Sequence, residues 1–273
     1  MCDSPYMKKL NGYLMDVALP CGKCPICKRR RVNDWAFRLE QEEKVSSSSH
    51  FITLTYANQN LNITKNKFST LSKRDCQLFM KRLRKLSKNK LRYYLAGEYG
   101  DITARPHYHL ILFNLEDETY INEAWGLGQV HIGQVTGKSM AYTCKYIDKQ
   151  KRIPLHQNDD RQREFSLMSR GLGENYLTQK NINWHKADPS RNYIQKEGGY
   201  KIALPRYYRE RIYDPLEKSV QRQLIAQKNQ ENYDNLVIKS KKLGEGFTPE
   251  SMIDSAKKAR YNRFYSSSQK IRK

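Results

Sequence analysis

The residues best suited to chemistry gather in two short stretches. The first is Glu98 followed by His107-Tyr108-His109, at the head of the apolar run Leu110-Ile111-Leu112-Phe113. Side chains alternate between the two faces of a strand, so His107 and His109 point the same way and form a ready chelate for a divalent cation. Upstream, residues 91–98 also read as a strand, and it ends at Glu98. Paired as a hairpin, the two strands set Glu98 beside the imidazoles, and a carboxylate with two imidazoles suits Mg²⁺ or Mn²⁺. The second stretch holds Tyr142 and Tyr146 on a helix predicted at about 138–149. That spacing puts both rings on one helical face, with Lys145 and Lys149 adjoining it. An unperturbed tyrosine, with a pKa near ~10, is phenolate in only about one molecule in a thousand at pH 7, so nearby cations would favour its use as a nucleophile. His131, on a separate predicted strand, reads as a surface histidine rather than a third imidazole. Asp101 reads as a loop carboxylate, and Arg105 as a DNA contact or a turn residue.

The cysteines form a third group. Cys21-x-x-Cys24-x-x-Cys27 has the spacing of thiolate ligands, and Cys2 would complete a closed tetrahedral zinc site. Free thiols are the alternative reading, and an iron–sulfur cluster a lesser one. The chain shows no secretory signal pattern, so disulfides are not expected.

The charge balance narrows the partners. Fifty lysines and arginines face 28 aspartates and glutamates among 273 residues, a net charge of +22. A field of that sign and size captures polyanions; DNA or RNA is the natural partner, and an anionic membrane surface the alternative. No apolar run approaches the length of a membrane span, which leaves no membrane role and predicts a cytoplasmic protein. Nineteen tyrosines against eight phenylalanines suit stacking on unpaired bases, and Arg206-Tyr207-Tyr208-Arg209-Glu210-Arg211-Ile212-Tyr213 is the densest such segment. Half-buried packing is the competing reading of that segment.

The elements that must position these residues follow from periodicity. A helix is predicted from Pro25 to about Lys44, carrying Arg29, Arg30 and Arg31 as solvated or phosphate-bound cations. Strands are predicted at 51–56, 91–98, 107–113 and 128–135, with a helix begun by Ser72 between the first two and a short one at 117–125. Residues 150–205 read as loop-rich. Asp214-Pro215 and Thr248-Pro249 open two further helices. Strands joined by a short turn argue for antiparallel pairing, hence an α+β class with helices packed on an antiparallel sheet. The expected organisation is a Cys-rich segment and basic helix at 1–46, a core at 47–150, and a loop-rich then helical basic region at 151–273.

Together these patterns resemble the His-hydrophobe-His (HUH) endonucleases of rolling-circle replication, and among them the initiators of microviruses of the gokushovirus type. Phe51-Ile52-Thr53-Leu54-Thr55-Tyr56 is similar to the family's first strand motif, His107-Tyr108-His109 with Glu98 to its metal motif, and Tyr142 with Tyr146 to its two-tyrosine motif. Pro20-Cys21-Gly22-Lys23-Cys24 and Ser169-Arg170-Gly171-Leu172-Gly173 are similar to further blocks of the phage proteins. The resemblance covers roughly residues 1–210. It implies the HUH fold and a metal-dependent nickase that cuts single-stranded origin DNA through a 5′-phosphotyrosine and later rejoins it, in the bacterial host cytoplasm. The order in which the tyrosines act is left open. It also implies a host helicase and polymerase as partners, since no ATP-binding Gly-x-x-x-x-Gly-Lys-Ser/Thr loop is present. The competing readings are a plasmid-type initiator or relaxase, and a non-catalytic basic nucleic-acid-binding protein with structural zinc.

Overall fold

The computed structural model describes residues 2–9, 17–100, 102–145 and 153–270. The chain divides into two compact units, Val32–Tyr176 and Met1–Arg31 together with Leu177–Lys273. The boundary falls inside the long helix α1, Pro25–Glu43.

The unit Val32–Tyr176 is built on a five-stranded sheet, wholly antiparallel, in the order β6-β3-β5-β4-β7. Its strands are β3 (Ser49–Thr55), β4 (Arg92–Tyr99), β5 (Pro106–Phe113), β6 (Val130–Gln134) and β7 (Phe165–Met168). This is the expected α+β class. The fifth strand, β7, lies in the region expected to be loop-rich: four residues are too few to show a period of two.

One face of the sheet carries Ile52, Leu54, Leu95, Tyr108, Leu110 and Leu112, all buried. Helices α2 (Lys73–Leu86) and α3 (Thr119–Trp125) cover it. Helix α2 begins where Ser72 accepts a hydrogen bond from the Asp75 N–H, and its buried Cys76, Phe79, Met80 and Leu83 recur at helical spacing while Lys81, Arg84 and Lys85 stay in water. Helix α3 stops at Gly126, whose φ of 61° suits glycine. Gly128 is required for another reason: a Cβ there would lie 2.3–2.6 Å from the backbone of Thr55, Tyr56 and Ala57.

The opposite face is split. Tyr94, Ile111 and Phe113 are buried with Leu39 of α1, with Met140 and Cys144 of α4 (Gly137–Lys145), and with Leu172. The 169–173 block holds α1 against this end of the sheet. Arg38 Nε donates to the Leu172 carbonyl at 3.0 Å, the Gly173 N–H donates to Glu42 at 2.8 Å, and Glu42 pairs with Arg92. The other half of the face is polar and holds Thr53, Thr55, Glu98, His107 and His109.

The second unit contains a two-stranded ribbon of β1 (Tyr6–Lys8) and β2 (Val17–Leu19), and a hairpin of β8 (Tyr193–Gln195) and β9 (Lys201–Ala203). Its helices are α5 (Gln179–Lys186), α6 (Arg206–Ile212), α7 (Pro215–Leu243) and α8 (Pro249–Lys270). The predicted Asp214 start is a full capping box with Glu217, and Pro215 takes the first turn. No described helix is long and apolar enough to cross a membrane.

A buried hydroxyl network ties the two ends of the sheet core together. Tyr108 OH accepts from the Ser72 N–H at 2.7 Å and lies 2.9 Å from Tyr56 OH, which donates to Asp75 at 2.7 Å. Burial pushes both phenols well above the usual tyrosine range, helped at Tyr56 by Tyr108 and Asp75 and at Tyr108 by Cys76 and Asp75, so both remain hydrogen-bond donors. Tyr108→Phe leaves the Ser72 N–H without its acceptor. It is expected to destabilise the protein by about 1–3 kcal/mol, read as a lowered urea midpoint with unchanged slope.

Candidate functional site

Strand register builds the polar half of the sheet face. Glu98 of β4 and Thr55 of β3 both lie directly across from His107, and Thr53 lies across from His109. Paired residues share a face, so these side chains form two adjacent rows. Glu98 and His109 are buried, at 5% and 7% exposure. His109 Nε2 lies 2.9 Å from Glu98 Oε1, and its Nδ1 lies 3.1 Å from Thr53 Oγ1. His107 Nδ1 donates to the Arg105 carbonyl at 2.7 Å, which puts the lone pair of the neutral ring on Nε2.

Glu98, His107 and His109 share this face by register, but among the described residues their ligand atoms do not close up into a group of three as the cysteine sulfurs do. His107 already has the tautomer of a metal-ligating imidazole. A neutral His109 that donates from Nε2 to the Glu98 carboxylate accepts at Nδ1 from the Thr53 hydroxyl, which orients the ring.

Helix α4 brings a tyrosine to this face. Its start is fixed by a reciprocal bond pair: Thr136 Oγ1 accepts from the Ser139 N–H, and Ser139 Oγ accepts from the Thr136 N–H. Met140 and Cys144 anchor the helix in the core. Tyr142 then falls over the sheet, its ring edge-on to His109 at 5.5 Å and to Phe51 at 6.4 Å, while Phe51 stacks parallel to His109 at 5.9 Å. Tyr142 remains 41% exposed. Lys145 is the last described residue of the helix, whereas Tyr146 and Lys149, like Asp101, lie outside the described residues.

His131, expected at the surface, is exposed. Register nevertheless places it across from Thr53, in the same row as His109. Arg105 is committed to structure: it donates to the Tyr56 carbonyl and, at 2.9 Å, to Asn58 Oδ1. Along the start of α1, Arg29 is exposed and Arg30 and Arg31 are partly so. The dense segment 206–213 proves to be largely packing, since Tyr208, Ile212 and Tyr213 are buried. Sequence reasoning missed Thr53 and Phe51 as neighbours of His109; their strand is evident from its pattern, but their partners depend on register.

The four cysteines meet as the spacing suggested. The sulfurs of Cys2, Cys21, Cys24 and Cys27 all lie within 4.8 Å of one another, the only such group of three or more metal-ligating side chains among the described residues. The backbone N–H groups of Lys23 and Cys24 donate to Cys21 Sγ at 3.4 and 3.3 Å, and that of Cys21 to Cys2 Sγ at 3.3 Å. Desolvation opposes thiolate formation at Cys21, but these N–H groups and the neighbouring thiols bring its pKa down to about 6. Desolvation and the adjacent Cys24 and Cys2 push Cys27 up to about 12. Beside the cluster, the buried Asp3 is paired with Arg260 of α8.

Residues 49–151 match a family of replication-associated proteins of the ORF2 type. The chain is 29% identical to Replication-associated protein VP4 of Bdellovibrio phage phiMH2K over 229 residues, covering 74% of this chain and 70% of that protein. It is 27% identical to Replication-associated protein ORF2 of Spiroplasma virus 4, covering 74% and 69%. With Replication-associated protein ORF4 of Chlamydia phage 1 the identity is 24%, covering 70% and 53%. No solved structure matches. The resemblance to microvirus replication proteins drawn from sequence motifs therefore extends over about three quarters of the chain.

Thr53 gives a direct test of the site. Thr53→Val keeps the shape of the side chain and removes the oxygen beside His109 Nδ1. Mn²⁺ affinity, measured by calorimetric titration, is expected to fall by roughly 10- to 100-fold with the fold intact.

Proposed function

We propose that this chain, similar to the replication-associated proteins of microviruses, is a rolling-circle replication initiator that nicks and rejoins single-stranded origin DNA. The observation that carries the reading is the meeting of three elements at one point: Tyr142 of α4 lies against His109 of β5, which is bonded to Glu98 of β4. Packing alone does not require an acid and an imidazole to be buried under a half-exposed tyrosine.

The residues divide the work. His107, His109 and Glu98 would hold Mg²⁺ or Mn²⁺. When bound there, the ion supplies Lewis-acid polarisation of the scissile phosphate and counter-charge for the departing 3′ oxygen. Tyr142 is the nucleophile available on the described face. Its oxygen bonds to phosphorus as the bond to the 3′ oxygen breaks, and the phenolic proton passes through solvent to that oxygen. The products are a 5′-phosphotyrosine and a free 3′-hydroxyl that a host polymerase can extend. Tyr146 would serve as the second nucleophile, cutting the regenerated junction while Tyr142 stays linked, or the reverse. Lys145 and Lys149 would stabilise the developing charge. A host helicase would open the duplex. Arg29, Arg30 and Arg31 would contribute to backbone contact.

For the cysteine cluster we propose structural zinc, since four sulfurs and no open position describe a closed site. Cys24→Ser is expected to lower bound zinc to a fraction of one ion per chain by atomic emission. It should also accelerate proteolysis within the unit Met1–Arg31 and Leu177–Lys273 while sparing Val32–Tyr176.

The nicking reading is tested by incubating the protein with Mn²⁺ and labelled single-stranded DNA carrying its origin, then mapping the DNA-linked peptide. A peptide containing Tyr142 or Tyr146 is expected. His109→Ala should abolish the adduct, by about a thousandfold or more in rate, and leave DNA affinity within a few-fold, because basic side chains carry the affinity. Equal collapse of binding and cleavage would make the histidine site structural. Tight binding with no adduct under any divalent metal, on single-stranded and supercoiled DNA alike, would favour the non-catalytic basic binding protein.

A further inference from the structure

The segment that spans α5, the β8–β9 hairpin and α6 takes no part in the nicking chemistry, and it belongs to the other compact unit. Residues 179–213 hold eight lysines and arginines against three acidic residues, with six tryptophans and tyrosines among them. The structure sorts those aromatics into two sets. Tyr208 and Tyr213 are buried and serve packing, while Trp184 and Tyr200 are 37% and 60% exposed and Tyr193 is half-buried.

The exposed set is ordered rather than scattered. Trp184 meets Tyr193 edge-on at 5.9 Å. Arg191 lies over the Trp184 ring at 4.8 Å and Lys201 over the Tyr193 ring at 4.3 Å. Arg191 also donates to the Trp184 carbonyl at 2.8 Å and lies 3.6 Å from Asp188. Below them the fully buried His185 donates from Nδ1 to the Arg191 carbonyl at 2.8 Å, and Tyr213 OH donates to the His185 carbonyl at 3.3 Å. Burial lowers the pKa of His185, which keeps it the neutral donor this bond uses. The backbone under the platform is therefore fixed before any ligand arrives. Beyond it the hairpin tip at Gly198 and Gly199 is open, with nothing within 4 Å of a built Cβ, and Tyr200 stands beside that tip.

We infer that Trp184 and Tyr193, with Arg191 and Lys201, form a second, non-catalytic binding platform for single-stranded DNA. Unpaired bases offer a π-face to each ring, and the cation already seated over the ring meets the phosphate that follows. Duplex DNA keeps its bases stacked internally and can use only the cations. Stacking on rings is indifferent to base identity, so the platform would retain strand without reading sequence. A rolling-circle initiator that stays attached to one strand end has a use for such a hold on the displaced strand, and in that respect the inference rests on the nicking reading.

The platform is tested by fluorescence anisotropy of the full-length protein with labelled oligothymidylate, which lacks an origin. Trp184→Ala and Tyr193→Ala are each expected to weaken binding by roughly five- to a hundredfold. Affinity for a blunt duplex of equal length, and the cleavage rate at saturating origin DNA, should be unchanged. Tyr193→Leu keeps apolar bulk on the hairpin, so it reports even if an alanine variant folds poorly. Unchanged oligothymidylate affinity in Tyr193→Leu and in folded Trp184→Ala, or an equal loss on the duplex, would overturn the proposal. Should the protein bind oligothymidylate through these residues but never form a DNA-linked tyrosine, the nicking reading falls and the platform stands.

Discussion

The candidate site depends on the rotation and register of one strand, β5, and a buried phenol fixes both. Tyr108 sits between the two histidines and points away from them. Its hydroxyl is bonded to the Ser72 N–H and lies beside Tyr56 OH. A slip of one residue would turn Leu110 and Leu112 toward the polar half of the other face and drive His107 and His109 into the leucine core. Burial of a large apolar side chain is worth about 1.5–3 kcal/mol, and charged or polar groups left unsatisfied cost as much again. Such a slip would consume most of a domain's net stability of about 5–15 kcal/mol. The middle residue of the His-x-His pattern is thus the one that makes the outer two dependable.

The split face of the sheet explains where the tyrosine comes from. At one end Tyr94, Ile111 and Phe113 need cover, and α1 and α4 provide it. Helix α4 is held by Met140 and Cys144 in that cover, so its position is set by apolar packing rather than by the polar residues it overlooks. Tyr142 reaches His109 because it lies between the two anchors, where the apolar half of the face gives way to the polar half. The 169–173 block, noticeable in the sequence beside the functional motifs, works at the covered end: its backbone accepts from Arg38 and donates to Glu42 of α1. It supports the helix cover.

Much of this was legible in the sequence because it depends on local spacing. The His107–His109 alternation, the Ser72 helix start, the hairpin that carries Glu98 and the Cys21–Cys27 spacing are all encoded within a dozen residues. Glu98 opposite His107 follows from an antiparallel hairpin with a six-residue connection, Gly100–Arg105. What stayed hidden was set by distant pairing. Thr53 and Phe51 become neighbours of His109 only through the β3–β5 register, and β7 is recognisable as a strand only once β4 offers it an edge. Segment 206–213 left packing and DNA contact open for a related reason. Alternating cations and tyrosines look alike whether a helix lies on DNA or on its own core, and only the burial of Tyr208 and Tyr213 separates the two. The platform residues, Trp184, Arg191, Tyr193 and Lys201, are spread over 18 positions and come together through α5 and the hairpin.

The two proposed metal sites differ in the way their chemistry requires. Four sulfurs converge on one point near the chain's beginning, with backbone N–H groups directed at Cys2 and Cys21, leaving no coordination position for a substrate. Soft thiolates of that kind select zinc and discriminate against Mg²⁺ and Mn²⁺. The sheet site offers two imidazoles and one carboxylate on an open face beneath a half-exposed tyrosine, a donor set that leaves positions for phosphate oxygens and suits the harder ions. A single chain would therefore sort two metals by ligand softness alone. The division also follows the needs of each unit. Val32–Tyr176 has a five-stranded sheet and two apolar clusters to hold its shape, so a cation bound there would be free to serve reaction. Among its described residues the other unit has only three-residue strands and long exposed helices, and the pair of buried Asp3 with Arg260, next to Cys2, couples α8 to the cysteine segment. For that unit a closed metal site would contribute to folding itself.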